Sequence, residues 1–235
     1  MSQLVTYQLK DGVATIAMDD GKANALSPAL QAELNVALDQ ALADKAIVVL
    51  TGRPGMFSAG FDLPTLMSGG LPAVGMLTGG FEIAEKLLSF PKPVVIACGG
   101  HALAMGVFLA LCGDYAVGAD GAYKIGANEV ALGLTMPRAA IEICRARLAS
   151  AHFQRAMMTS EIYKPADAVA AGFLDKVVPA ADVLVEAQAV AARYTKLNMN
   201  AYKATKVLVR EPMLKALRAA AEADHAAFRV MCKVA

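Results

Sequence analysis

The first fifty residues switch between a strand-type and a helix-type pattern of apolar positions. Residues 13–18 (VATIAM) alternate and are rich in β-formers, which predicts a strand following an Asp-Gly turn. Ser27 and Pro28 then predict a helix start, a hydroxyl cap followed by proline at the first helical position. Residues 46–50 (AIVVL) form a continuous apolar run, typical of a strand covered on both faces. Strand, helix and strand at this spacing indicate a right-handed crossover unit.

The predicted helix after Ser27 carries a single apolar stripe. Leucine recurs on it every four residues, at Leu30, Leu34, Leu38 and Leu42. Residues four apart lie on the same face of an α-helix, so the spacing predicts a helix that buries one side.

The alternation of strands and helices continues to about residue 180. The pattern predicts, in order, a glycine-rich loop at 52–62, a helix at 81–90, a strand at 94–98, a helix at 104–112, and short strands at 115–117 and 122–125. Beyond Met136 it is helical except at 173–178. We therefore predict a β/α core over residues 1–180 and a helical region over 181–235. The apolar faces of that region have to pack on the chain's own core or on a neighbouring subunit.

One long uncharged stretch raises the question of a membrane span. Residues 93–113 contain no Lys, Arg, Asp or Glu, which is nearly long enough to cross a bilayer. Gly99, Gly100 and His101 interrupt it in the middle. A buried strand, turn and helix explain this pattern better, so we expect no membrane association.

Composition and charge limit the classes of function. Of the 235 residues, 57% are hydrophobic and 18% charged, which supplies a large core for one domain with or without a helical appendage. The surplus of Ala, Val, Leu and Met indicates buried subunit contacts, and an alanine-rich monomer is the alternative. The net charge is +1 with scattered basic residues, so the basic stripe needed for nucleic acid is absent from the sequence.

The cysteines and the amino terminus indicate the compartment. The four cysteines are far apart and form no CxxC, and the three histidines are widely separated from one another. This pattern predicts reduced, buried thiols and no metal site. The first twelve residues are polar and mixed, unlike a signal peptide. We therefore expect a cytoplasmic protein.

Two turns share one design. Residues 57–63 (FSAGFDL) and 99–106 (GGHALAMG) each place small residues between a strand end and a helix start. Backbone N–H groups are free at such a point, and the helix dipole there is positive. Two such ends facing each other would form a site for an oxyanion. Two ordinary tight turns are the alternative.

A single carboxylate lies in a long segment of low charge. The nearest charged residues to Glu129 along the chain are Lys124 and Arg138. A carboxylate among apolar groups has a raised pKa and can serve as a general base. A partly exposed loop glutamate is the alternative interpretation.

Taken together, the order and spacing of these segments resemble the crotonase (enoyl-CoA hydratase/isomerase) superfamily. Residues 57–63 match its F-S/C-A-G-x-D-L signature, and residues 168–179 are similar to its A-x-x-x-G-[FIL]-x-D-x-V-V-P stretch. Residues 22–27 (KANALS) resemble the segment that lines the CoA pocket. The resemblance implies an α/β fold of stacked ββα crossover units with a C-terminal helical region for oligomerisation and pocket closure. It also implies a homotrimer or a dimer of trimers.

The resemblance assigns site residues one by one. It implies that the backbone N–H groups of Phe61 and Met105 form the oxyanion hole, although Met105 replaces the usual middle glycine. Substrate-binding positions are implied at Lys22, Ala23, Ala25, Ala59, Gly60, Asp62, Leu63, Gly106, Phe108 and Asn128. The partner is an acyl-CoA thioester, whose CoA belongs to the substrate, and no metal or other cofactor is expected.

The acidic positions distinguish between reactions of this superfamily. Hydratases carry two glutamates around a water; here the first position is Phe108 and the second is Glu129. One carboxylate suffices to move a proton between carbons. Residues 125–134 (IGANEVALGL) also resemble the I-G-x-N-E-x-x-L-G-[IL] of Δ3,Δ2-enoyl-CoA isomerases. We predict an enoyl-CoA isomerase; the alternatives are a hydratase or other crotonase chemistry using Glu129 alone, and a non-catalytic acyl-CoA-binding protein.

Overall fold

The strands of this protein, seen in a computed structural model that describes residues 3–234, form two sheets. Their bounds are β1 (Val5–Lys10), β2 (Val13–Met18), β3 (Ile47–Thr51), β4 (Gly55–Ser58), β5 (Val94–Cys98), β6 (Gly100–Leu103), β7 (Tyr115–Ala119), β8 (Ile125–Gly126) and β9 (Lys176–Val178). The larger sheet has the order β1-β2-β3-β5-β7-β9, and the smaller has β4-β6-β8. The β1–β2 pair is antiparallel and the others are parallel.

The helices alternate with these strands and then continue alone. Their bounds are α1 (Pro28–Ala43), α2 (Leu63–Ser68), α3 (Gly70–Ser89), α4 (Met105–Leu111), α5 (Arg138–Arg147), α6 (Ser150–Thr159), α7 (Pro165–Ala171), α8 (Val183–Tyr194) and α9 (Met199–Met231). This order confirms the predicted fold class of crossover units with a C-terminal helical region. Within residues 3–234, no helix combines the length and apolar character needed to cross a membrane.

The first crossover forms as predicted, with one correction on its helix. Ser27 caps α1 by accepting a hydrogen bond from the Leu30 amide at 3.2 Å. Leu30, Leu34 and Leu38 are fully buried, but Leu42 is 45% exposed. A four-residue spacing overshoots the helical turn by about 40°, so Leu42 lies about 120° round the helix from Leu30. The predicted stripe therefore leaves the core at its last member.

Strand β3 is covered on both faces, as its continuous apolar run predicts. Val48 and Leu50 join the core that α1, α3 and α4 form on one side of the large sheet. Ile47 and Val49 join a second core against α8 on the other side. All four cysteines are buried and free of disulfides, as predicted.

The two glycine-rich segments are not simple loops. Residues predicted as loop and turn form β4 and β6, which pair in parallel at Gly55 and Gly100. A Cβ built on Gly100 would lie 1.9 Å from the Gly55 carbonyl carbon. Glycine therefore permits a close approach of two backbones here, and its local signal for a turn was misleading.

Other predicted bounds also change. The helix predicted at 81–90 is α3, which begins at Gly70, and the strand predicted at 122–125 shrinks to β8. Strand β1 was not predicted, because most of its residues are exposed or half-buried and its sequence is polar.

The long helix α9 packs on the chain's own core. Lys206 forms a salt bridge at 2.8 Å with Asp114, just before β7. Asp224 accepts hydrogen bonds from the Arg138 and Ala139 amides at 3.0 and 2.8 Å, which caps the start of α5. These contacts pack α9 on its own subunit, which is one of the two docking partners predicted for the helical region. A trimer or a dimer of trimers stays a prediction.

Candidate active site

The loop between β4 and α2 holds one backbone N–H free. The Ala59 amide donates to the Ala23 carbonyl at 3.0 Å, and the Gly60 amide donates to the Ser58 hydroxyl at 3.2 Å. The next amide, at Phe61, donates to no other group among residues 3–234. The loop is thus held by its neighbours in a shape that leaves the Phe61 N–H available.

Asn24 fixes this loop, and sequence reasoning did not assign it a role. Its buried side-chain amide donates to the Met18 and Phe57 carbonyls at 2.9 and 3.2 Å, and its main-chain carbonyl accepts from the Ser58 hydroxyl at 2.7 Å. Its φ is 48°, in the left-handed region that asparagine tolerates better than most residues. An asparagine inside the KANALS segment was the available signal.

The start of α4 faces that loop. The Met105 amide begins the helix and has no acceptor within the described part of the chain. A Cβ built on Gly60 would lie 3.1 Å from the Met105 nitrogen and 2.7 Å from the Ala104 Cβ. Standard backbone dimensions then place the Phe61 and Met105 nitrogens within about 7 Å of each other. The structure therefore brings the two predicted donors together.

A glycine on α3 leaves room for the Phe61 ring, next to which the Met105 side chain packs. A Cβ on Gly80 would lie 2.5 Å from the Phe61 ring and 3.6 Å from the Met105 terminal methyl. Glycine inside a helix costs about 1 kcal/mol relative to alanine, so its presence has a packing reason here. Sequence reasoning missed Gly80, although a Gly-Gly pair inside a helical segment was a usable signal.

Glu129 is buried without a charge partner. It is 8% exposed, and its Oε2 has no hydrogen-bond partner among the described residues. Burial raises its pKa to about 7, opposed only by a hydrogen bond to its own backbone amide. Its main chain is held by a 3-10 turn, where Ser160 accepts from the Ala131 amide at 3.0 Å. Sequence reasoning did not single out Ser160.

Phe61 and Glu129 border one cavity of about 310 Å³, whose wall also includes Ala104, the residue before Met105. Six of the predicted site residues line it: Ala59, Phe61, Leu63, Phe108, Asn128 and Glu129. Helix α9 contributes Phe228 and Met231 to the same wall. Among the described lining residues, Glu129 is the only titratable side chain. Phe108 contributes an apolar ring at the position predicted to distinguish this chain from hydratases.

The remaining predicted residues lie outside the cavity wall. They are Lys22, Ala23, Ala25, Gly60, Asp62, Met105 and Gly106. Asp62 caps α2, with its carboxylate accepting from the Thr65 amide and hydroxyl at 2.9 and 2.7 Å. Gly106 lets α4 approach β4, since a Cβ there would lie 2.3 Å from the Ser58 carbonyl oxygen. For Asp62 and Gly106 the structure therefore shows a role in shaping the site.

Fold and site together define the crotonase class, in which strand–helix crossovers carry an acyl-CoA site. The chain belongs to the enoyl-CoA hydratase/isomerase family, whose sequence profile matches residues 8–235. The membership confirms the superfamily indicated by the sequence motifs.

Relatives in this family carry both reaction names. Human mitochondrial enoyl-CoA delta isomerase 1 is 31% identical over 219 residues, covering 91% of this chain and 72% of that protein. A Mycobacterium tuberculosis enoyl-CoA isomerase superposes with a TM-score of 0.92 at 47% identity, covering 97% of this chain and 99% of that one. The same protein, solved as a probable enoyl-CoA hydratase, gives a TM-score of 0.93 at 48% identity with 96% of both chains covered.

Ala104 occupies a backbone conformation that favours glycine, which makes it a test of strain at the site. Its φ of 50° and ψ of −131° lie outside the regions that L-residues prefer. Ala104→Gly is expected to stabilise the fold by about 1 kcal/mol, because relief of strain exceeds the extra chain entropy of glycine. Thermal unfolding should show Tm raised by about 2–4 °C.

The control for this substitution is an alanine with ordinary backbone angles. Ala32 lies exposed in the interior of α1. Ala32→Gly should lower stability by about 1 kcal/mol. Equal destabilisation by both substitutions would contradict the strain at Ala104.

Proposed function

We propose that the protein is a Δ3,Δ2-enoyl-CoA isomerase, which converts a 3-enoyl-CoA thioester into the conjugated 2-enoyl-CoA. The observation that carries the proposal is that Glu129 is the only titratable side chain among the described residues that line the cavity. Phe108 stands at the position where hydratases of the superfamily carry a second glutamate. A lone carboxylate is enough to shuttle a proton, whereas hydration requires a positioned water as well. The apolar ring of Phe108 disfavours that water.

In the proposed reaction, the thioester oxygen binds between the N–H groups of Phe61 and Met105, and C2 faces Glu129. The carboxylate takes a proton from C2, and the electron pair enters a dienolate whose negative charge the two N–H groups stabilise. Glu129 then returns the same proton to C4, so the double bond moves and no atom is gained or lost. The mechanism uses no metal and no redox step.

The same proposal accounts for the residues outside the cavity. The CoA part of the substrate is expected to extend past the segment that contains Lys22, Ala23 and Ala25, which is tied to the loop carrying Phe61 by the Leu26 amide and Gly60 carbonyl at 2.8 Å. The homotrimer or dimer of trimers belongs to this proposal too.

Side-by-side assays with 3-enoyl-CoA and 2-enoyl-CoA test the choice of reaction. We expect conjugation of the 3-enoyl ester to be faster than hydration of the 2-enoyl ester, both followed in the ultraviolet. The reverse order in the wild type would favour a hydratase that uses Glu129 alone. Neither reaction at a measurable rate would favour a protein that only binds acyl-CoA.

Phe108→Glu is expected to shift the reaction toward hydration. It introduces a second carboxylate into the cavity that contains Glu129, and the ratio of hydration to isomerisation should rise by about tenfold or more, part of what a positioned acid or base contributes. Phe108→Gln is the control, since it introduces polarity of similar size without an ionisable group. An equal rise in both variants would mean that wetting of the cavity, and not the second carboxylate, changes the ratio.

The pH dependence of isomerisation reports on Glu129. The base acts in its ionised form, and burial raises its pKa to about 7. We therefore expect kcat/KM to rise with pH through about 7 and to level off above it, since kcat/KM follows the free enzyme. A profile that is flat from pH 5 to pH 9 would contradict Glu129 as the base.

A further inference from the structure

Two aromatic rings separate the candidate active-site cavity from a second cavity. Phe81 on α3 and Phe228 on α9 stack with ring centroids 6.3 Å apart and planes inclined by 14°. Both rings line the cavity of about 310 Å³ that contains Glu129, and both also line a cavity of about 330 Å³ between α3 and α9. The stacked pair is therefore a partition with open space on either side.

The partition continues a row of aromatic rings that begins at the reacting centre. The Phe61 ring meets the Phe81 ring edge-on with centroids 6.3 Å apart, and Phe81 then meets Phe228. The Phe61 amide is one of the two proposed oxyanion donors. An acyl chain that starts at these donors and follows the row away from them reaches Phe228.

The second cavity has an apolar floor and a charged rim. Leu217 and Ala221 on α9 continue the apolar surface beyond Phe228. At the rim, Thr78 contacts His225 at 3.1 Å and Arg218 pairs with Glu85 at 2.7 Å. The floor suits a hydrocarbon tail, while the polar pairs mark where it meets solvent.

We infer that the Phe81–Phe228 pair is the end wall of the acyl-binding cavity, and that Phe228 sets the longest acyl chain that the cavity accepts. The inference rests on the proposed acyl-CoA function and adds a residue that determines substrate length. Removing the Phe228 ring joins the two cavities, so the tail of a longer chain passes over the floor formed by Leu217 and Ala221.

The affinities of unreactive saturated acyl-CoAs of increasing chain length test the position of the end wall directly. With esters from butanoyl- to dodecanoyl-CoA, wild-type affinity should rise by about fourfold per added CH₂ and stop rising when the tail meets Phe228. In Phe228→Ala the rise should continue over several more carbons, so that dodecanoyl-CoA binds at least about tenfold more tightly than to the wild type. We call the chain length at which affinity stops rising the break point. An unchanged break point in folded Phe228→Ala protein would overturn the inference.

Two further variants separate the wall from general loosening of α9. Leu214 is a buried residue of the same helix and lines neither of the two cavities. Leu214→Ala should therefore leave the break point unchanged. Adding Ala221→Phe to Phe228→Ala refills the second cavity and should return the break point toward the wild-type position. The inference would be overturned if Leu214→Ala shifted the break point as far as Phe228→Ala does. It would also be overturned if Ala221→Phe did not return the break point toward the wild-type position.

Failure of the end-wall inference and failure of the proposed reaction give different results in these experiments. Should Phe228→Ala fail to fold, Phe228→Leu removes less of the ring and should shift the break point by fewer carbons; no shift would overturn the inference. If no variant converts 3-enoyl- or 2-enoyl-CoA while the break point moves as described, the isomerase proposal fails and the end wall stands.

Discussion

Replacement of Glu129 by glutamine is expected to lower the rate of isomerisation by at least about 10²–10⁴, the usual contribution of a positioned general base. Glutamine keeps the shape of the side chain but cannot accept the C2 proton. Among the described residues that line the cavity, no other side chain titrates, so no substitute base is at hand. Steady-state rates with 3-enoyl-CoA, together with binding of a saturated acyl-CoA, separate loss of chemistry from loss of affinity.

The same substitution should stabilise the protein at high pH. Burial raises the folded-state pKa of Glu129 from 4.5 to about 7, so the folded protein retains a proton that the unfolded chain has released. Stability therefore falls as pH rises from about 4.5 to about 7, by on the order of 3 kcal/mol. Glu129→Gln removes this loss, and urea unfolding should show the gain at pH 8 and little gain at pH 4.

The control for both effects is a glutamate on the surface. Glu211→Gln, on the exposed face of α9, should leave the rate and the pH dependence of stability close to the wild type. A Glu129→Gln variant that keeps more than about a tenth of the wild-type rate would show that another group moves the proton.

Gly60→Ala is expected to lower kcat/KM by about 10²–10³, the loss typical of one oxyanion-hole donor. The added Cβ would lie 2.7 Å from the Ala104 Cβ and 3.1 Å from the Met105 nitrogen, so the two loops have to separate. Gly60 also has a φ of 98°, which is unfavourable for alanine. Since the donors stabilise charge in the transition state, kcat should fall more than KM rises.

Gly12→Ala is the matched control for backbone strain. Gly12 has a φ of 75° in the β1–β2 turn, and a Cβ there meets nothing within 4 Å. This variant should lose stability through its backbone, by about 1–3 kcal/mol, and keep the wild-type kcat/KM. Equal losses of activity in the two variants would show that strain, and not displacement of the donors, explains the effect of Gly60→Ala.

Some parts of this protein follow from short-range chemistry and were predictable. The cap at Ser27 and the proline after it act within one helical turn, so the start of α1 is local information. The run at residues 46–50 predicted a strand buried on both faces, because each of its residues is apolar. The FSAGFDL and IGANEVALGL segments predict Phe61 and Glu129 as members of one family site, because each motif is read within ten residues of sequence.

Other parts depend on residues that are distant in sequence. Glycines at Gly55 and Gly100 signalled turns, yet their meeting forms β4 and β6. Asn24 acts by donating hydrogen bonds to carbonyl groups on β2 and β4, and Gly80 acts by leaving room for the Phe61 ring. No single segment carries this information, since each contact joins two surfaces.

The sequence by itself determined the class of strand–helix crossovers, the family, and the residue types available for proton transfer and charge stabilisation. Only the tertiary structure decided which of them meet. Helix α9 could have packed on a neighbouring subunit; its packing on its own core places Phe228 beside Phe81 and closes the cavity. The physical reason is that burial, and with it the raised pKa of Glu129, is a property of surfaces that come together and not of any residue alone.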